Sequence, residues 1–170
     1  KIFLKKRDSL PVKLWSQFTI NIISIDLKRF TYVIGRGSMK EKKESQHFNY
    51  GKKFDNSTID YILDLMDHNY IAGLSILGGE PMHPTNIEGT TRLAKAFKAE
   101  YPNKTIWAWS GFLFDRDLKN EEVLNYIDVL VDGQYVDELH NPTLKWRGSE
   151  NQRVIDVQKS LKSGSVVVME

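Results

Sequence analysis

The chain has 170 residues, 41% apolar and 27% charged, with a net charge of +2, which fits one ordinary soluble domain with a core of its own. It contains no cysteine, which excludes disulfides, thiolate zinc sites, catalytic thiols and any cysteine-ligated iron–sulfur cluster. No stretch of eighteen or more apolar residues occurs, so no membrane span is expected; the charged start has no apolar signal core after it, so the cytoplasm is the default expectation.

The charge is unevenly divided. Residues 1–44 hold eleven Lys/Arg against four Asp/Glu, a net of +7, and the remainder holds thirteen against eighteen, a net of −5. Within the first part, residues 18–27 have strand-like composition, Gly35-Arg36-Gly37-Ser38 is turn-like, and residues 40–44 are an uninterrupted charge run. The runs Lys5-Lys6-Arg7 and 40–43 read as solvated surface. A nucleic-acid arm is disfavoured because little aromatic interleaving accompanies them.

From Asp55 onward the pattern is regular. Ile59, Ile62, Leu63 and Met66 share one helical face, and Ser57 with Asp60 makes a capping-box-like start. Gly73–Leu77 is a short apolar strand running into Gly78-Gly79. A second helix is expected after Asn86 as far as Tyr101, with Leu93, Ala94, Ala96 and Phe97 buried and Pro102-Asn103 as its stop. Thr105–Trp109 reads as the next strand; of Trp107 and Trp109, one is expected to face the core and the other a loop or sheet face. Residues 121–127 predict a brief helix and residues 128–132 a buried strand ending at Gly133. Residues 153–157 fit a strand or a helix start, and residues 165–169 a last strand, at an edge. Strand and helix alternating at these intervals predict an α/β fold of βαβ units with a parallel sheet.

Four segments carry the chemistry. Gly78-Gly79-Glu80-Pro81 ends the first strong strand, where paired glycines admit a ligand to the backbone and a site beyond the carboxyl end of a parallel strand is common in α/β folds. A tight strand-to-helix turn explains the same four residues equally well. Those four lie within residues 77–86; Trp107-Ala108-Trp109-Ser110-Gly111-Phe112 follows at the end of the next strand, then Asp128-Val129-Leu130-Val131-Asp132-Gly133, then Trp146-Arg147-Gly148-Ser149-Glu150-Asn151-Gln152-Arg153-Val154-Ile155-Asp156-Val157. Asp115 and Asp117, flanking Arg116, read as a solvated loop rather than an acid–base pair. The four histidines, His47, His68, His83 and His140, lie in separate segments, and no metal ligand is assigned to them.

In this order and spacing the four segments, with Ser45-Gln46-His47-Phe48-Asn49-Tyr50-Gly51-Lys52 before them, resemble the activating proteins of anaerobic ribonucleoside-triphosphate reductase, a radical S-adenosylmethionine family. The resemblance runs from about Ser45 to the C-terminus. It implies an incomplete (β/α) barrel of the small radical S-adenosylmethionine type, a parallel sheet with helices outside. It implies S-adenosyl-L-methionine and a [4Fe-4S] cluster held by three cysteines spaced C-x3-C-x2-C. It also implies an electron donor such as flavodoxin, and the large subunit of the reductase as partner and source of the glycine that becomes a radical. By resemblance Gly78, Gly79, Glu80 and Pro81 hold the cofactor's amino group, Ser110 and Gly111 meet the cofactor at the next strand end, and Asn151 and Arg153 match polar positions nearby.

The resemblance places the three cysteines near Val33, Gly37 and Lys40, none of which ligates iron as a thiolate does. Charge and resemblance both break near residue 44, so the chain divides into an atypical basic segment, 1–44, and an α/β unit, 45–170. Translation of 1–44 out of frame, or a misjoined gene, is the simplest explanation. The alternative is a genuine cysteine-free relative that docks on the reductase or binds S-adenosylmethionine without cleaving it.

Overall fold

The structure is a computed structural model, which describes residues 22–24, 54–77 and 79–169. Five strands, β1 (Ile22–Ser24), β2 (Gly73–Leu77), β3 (Thr105–Trp109), β4 (Val129–Asp132) and β5 (Arg153–Asp156), form one sheet in the order β1-β2-β3-β4-β5. The first four are parallel and β5 is antiparallel to β4. The all-parallel expectation is corrected at β5, because residues 133–152 turn back as a reversal instead of a crossover helix. β1 falls within the strand-like residues 18–27 and pairs with β2, Ser24 opposite Leu77. The rest of 1–44, including the three positions matched to cysteines, lies outside the described residues.

Helices α1 (Asn56–Met66) and α2 (Ile87–Glu100) precede β2 and β3, a single 3-10 turn, Glu122–Asn125, precedes β4, and α3 (Val157–Ser163) follows β5. The cap of α1 corrects the expectation at Ser57. Asp55 is the N-cap, its Oδ1 accepting from the Thr58 backbone N–H and from Ser57 Oγ. The choice follows from chemistry: an ionised carboxylate is the stronger acceptor for orphan helix amides. Those bonds, the Ser57 hydroxyl's first, hold the Asp55 carboxyl below its ordinary range. The residues expected to form a strand or a helix start do both, β5 ending at Asp156, whose carboxylate then caps α3 through Lys159 N–H. No strand forms over residues 165–169. Only an isolated bridge joins Val168 to Ile155.

Strict alternation separates two packing faces. Leu74, Ile76, Ile106, Ala108, Leu130 and Ile155 point to one side and share a buried cluster with Ile62 and Met66 of α1, Leu93 and Phe97 of α2, Val123 of the 3-10 turn and Val157 of α3. Among the described residues, α1, α2, α3 and the 3-10 turn before β4 therefore pack on one face of the sheet, as expected when parallel strands follow one another in sequence with crossovers of one hand. The opposite face carries Val129, Val131 and Val154 with Trp107, Trp109 and Met169. Trp107 and Trp109 both lie on this second face, since residues two apart share a side; their rings stack at 5.9 Å, and Trp107 meets Trp146 at 5.4 Å. The expected division of the two between core and loop is thus corrected.

One glycine is demanded by sheet packing. A Cβ on Gly73 would sit 2.1 Å from the Thr105 carbonyl oxygen, so a side chain there would force β2 from β3 at the start of their pairing.

Candidate functional site

The carboxyl ends of β2, β3 and β4 lie together, and the residues leaving them are bonded across the gaps. After β2 the backbone turns left-handed twice, at Gly79 (φ 56°) and Glu80 (φ 55°). This suits glycine but strains glutamate by roughly 1–2 kcal/mol. The turn aims the half-buried Glu80 carboxylate at the exit of β3. Oε1 accepts from Ser110 Oγ at 2.7 Å and from the Met82 N–H at 3.0 Å, and Oε2 accepts from the Gly111 N–H at 2.7 Å. Ser110 is buried and fixed in turn: its N–H donates to the Val131 carbonyl, and its Oγ accepts from the Phe112 N–H at 3.0 Å. A carboxylate offers about four acceptor positions, so three protein donors leave about one, on Oε2, for an external donor.

Gly111 is exposed and has no room for a side chain without disturbing Glu80, since its Cβ would stand 3.3 Å from Oε2 and 3.8 Å from Gln134 Cα. Gln134 follows β4, and its carbonyl accepts from Asn151 Nδ2 at 2.7 Å. Glu80, Gly111, Gln134 and Asn151 thus form a continuous rim. Of the residues singled out in the sequence, Gly79, Glu80, Ser110, Gly111 and Asn151 come together. Pro81 is buried behind the rim, its carbonyl accepting from Thr90 Oγ1 at 2.8 Å. Gly78 lies outside the described residues.

Arg153 is placed differently. Its Nε donates to Asp132 Oδ1 at 2.9 Å, and its terminal nitrogen donates to Asp132 Oδ2 and to Asp115 Oδ1. Asp132, the last residue of β4, is fully buried and also accepts from the Phe114 N–H at 2.8 Å. Hydrogen bonding to Asp132 first, and to Asp115 second, holds the guanidinium above its ordinary pKa, so Arg153 is permanently charged and committed. Asp115 is therefore not simply solvated, whereas Asp117 pairs with its exposed neighbour Arg116.

Three contributors lay within the segments singled out in the sequence but had no role of their own there. Asp132 closed a buried strand. Gln152, whose Oε1 accepts from the Gly148 and Ser149 N–H groups while its Nε2 donates to the Gly133 carbonyl, closes the reversal before β5. Asn86 read as a plain helix boundary, and its Nδ2 donates to the carbonyls of both Gly79 and Glu80. Asn immediately before a helix was the available signal, but it points to a cap rather than to a loop strut.

Comparison with known proteins identifies a family. The family described as "4Fe-4S single cluster domain" matches residues 40–155. Similar proteins named anaerobic ribonucleoside-triphosphate reductase-activating protein include that of Enterobacteria phage T4, 42% identical over 105 residues, 61% of this chain and 65% of the relative. Another is that of Escherichia coli (strain K12), 37% identical over 115 residues, 66% of this chain and 75% of the relative. A third, from Vibrio cholerae serotype O1, is 48% identical over 81 residues, 47% of this chain and 52% of the relative. The matches thus span between half and three quarters of these relatives' length. No solved structure matches the chain.

The donor set does not fit the group in the family's description. There is no cysteine in the 170 residues, and among the described residues no three His, Asp or Glu side chains are grouped to hold a metal ion.

The Asp115–Arg153 pair gives a pH signature. The guanidinium's hydrogen bond lowers the Asp115 carboxyl below its ordinary value, so its stabilisation is present above about pH 4 and disappears as pH falls through the lowered value. Asp115→Asn should cost the roughly 0.2–1 kcal/mol of a part-exposed ion pair at pH 7. In parallel thermal melts the gap from wild type should hold between about pH 5 and 8 and close under stronger acid.

Proposed function

The chain belongs to the 4Fe-4S single cluster domain family, and from that premise we propose that it binds S-adenosylmethionine without cleaving it. Its relatives are named anaerobic ribonucleoside-triphosphate reductase-activating protein, and we read the chain as descended from a glycyl-radical activase whose chemistry it no longer supports. The observation that carries the reading is the Glu80 carboxylate, fixed by three donors with about one acceptor position left facing the rim. That position suits the ammonium of an amino acid, and the glycines at 79 and 111 let such a group come close to the backbone. Asn151, exposed beyond Gln134, supplies the far edge of the rim. Arg153 acts at one remove, bracing the exits of β3 and β4 through Asp132 and Asp115.

We read the sheet as an incomplete barrel of the small radical S-adenosylmethionine type, supported by sequential parallel strands with α1, α2 and α3 on one face. The partner is the large subunit of the anaerobic reductase. Cleaving the cofactor requires one-electron reduction beside it, and the chain provides no ligands for a cluster there, so a flavodoxin-type donor has nothing to reduce. The cytoplasm is the compartment in which this partner and cofactor meet. No helix among the described residues is long and apolar enough to cross a membrane.

Residues 1–44 form, in this reading, a segment of separate origin, since the family match begins at residue 40 and the charge changes sign close by. The coding DNA decides this: C-x3-C-x2-C in another forward frame running into Ser45 is the expected finding, and its absence from every frame would leave a genuine cysteine-free relative. For the function itself, the protein is incubated anaerobically with iron and sulfide, reduced with dithionite and supplied with S-adenosylmethionine. No visible cluster absorbance and no 5′-deoxyadenosine are expected, while the large reductase subunit still binds. A brown protein that releases 5′-deoxyadenosine would overturn the reading.

A further inference from the structure

Asn86 stands at the N-cap of α2, where an Asn side chain ordinarily accepts from an amide of the first helical turn, yet it makes no capping bond. Its Nδ2 turns back on the loop leaving β2 and donates to the Gly79 carbonyl and to the Glu80 carbonyl, both at 3.0 Å. Its Oδ1 accepts from Thr85 Oγ1 at 3.2 Å. The residue is 6% exposed, so these bonds are made away from water and the amide's two hydrogens are both spent on the loop. The carbonyls they hold belong to two successive left-handed residues, and Glu80 is not a residue that adopts that conformation unaided.

We propose that Asn86 is a positioning residue: it holds the Glu80 backbone left-handed, and so keeps the Glu80 carboxylate in register with Ser110 Oγ and the Gly111 N–H. Among the described hydrogen bonds Asn86 is the one donor to the Gly79 carbonyl, while the Glu80 carbonyl also accepts from the His83 N–H at 3.1 Å, a turn bond that spans Glu80 but leaves Gly79 to Asn86. Thr90 braces the neighbouring position, its fully buried hydroxyl donating to the Pro81 carbonyl at 2.8 Å, and is the natural control. It shares the loop and the burial but not the two left-handed residues. The consequence for binding rests on the reading of Glu80 as the carboxylate that meets S-adenosylmethionine; the positioning itself does not.

The experiment uses the full chain labelled for nuclear magnetic resonance. Wild type should show scalar couplings across the hydrogen bonds from Asn86 Nδ2 to the carbonyl carbons of Gly79 and Glu80. The Gly111 amide proton should lie downfield, as a donor to a carboxylate does. In Asn86→Ala and in the near-isosteric Asn86→Asp, that proton should move to the position it takes in Glu80→Ala. Thr90→Val should lower thermal stability and leave the proton in place. Titration with S-adenosylmethionine should show affinity reduced by roughly tenfold in both Asn86 variants, the effect of losing about one well-placed charged contact.

An unmoved Gly111 proton in the Asn86 variants, or a wild type without the couplings, overturns the proposal. Should both Asn86 variants fail to fold, the wild-type couplings decide it alone. If wild type does not bind S-adenosylmethionine but the Gly111 proton moves as described, the functional reading falls and the positioning role stands.

Discussion

The Glu80 carboxylate is the tie on which the carboxyl end of the sheet depends. Parallel pairing brings the ends of β2 and β3 side by side but leaves the loops beyond them unrelated. One ionised side chain takes a hydroxyl and two backbone amides, and two of those three donors come from the other loop. Charge-assisted bonds of this kind are roughly twice as strong as neutral ones. The backbone strain that aims the carboxylate, about 1–2 kcal/mol for one left-handed non-glycine residue, is matched by the two Asn86 bonds at about 1 kcal/mol each. Bonds and strain come out close to balance.

A second buried carboxylate organises the next pair of strands. Asp132 has no exposed surface and would carry a penalty of several kcal/mol if left without partners. Arg153 from β5 and the Phe114 N–H from the loop after β3 supply them. Loop, β4 and β5 are thereby locked, and the antiparallel reversal at β5 has a reason: it delivers a guanidinium to the end of β4. The face we propose for the ligand is the junction of the exits of β2 and β3, with Asn151 at its margin.

Much of the fold was legible because it follows from periodicity. The strands at 73–77 and 105–109 and the helix after Asn86 have apolar spacing that admits few other readings, and each forms where its pattern placed it. Departures arose where one residue type serves two roles. Ser57 and Asp55 can each cap α1, and the charged group prevailed. The Val-rich residues 165–169 look like a strand, but only Val168 reaches Ile155. Glu80, Ser110 and Gly111 were conspicuous because they flank strong strands. Asp132, Asn86 and Gln152 were not, since their roles depend on carbonyls and a guanidinium brought from 6 to 21 residues away by folding.

The chain's described carboxyl-end site rests on sheet ends and hydrogen bonds, and the chain has no thiolate. The two are physically separable: the described carboxyl-end network spends its carboxylates on protein donors, and among the described residues no three His, Asp or Glu side chains are grouped to hold a metal ion. The most direct test is calorimetric titration of S-adenosylmethionine into the purified, iron-free protein, with Glu80→Ala alongside. Saturable binding by the wild type, lost or reduced by more than about tenfold in Glu80→Ala, is the predicted result. No binding by the wild type, or equal binding by both proteins, would contradict the account.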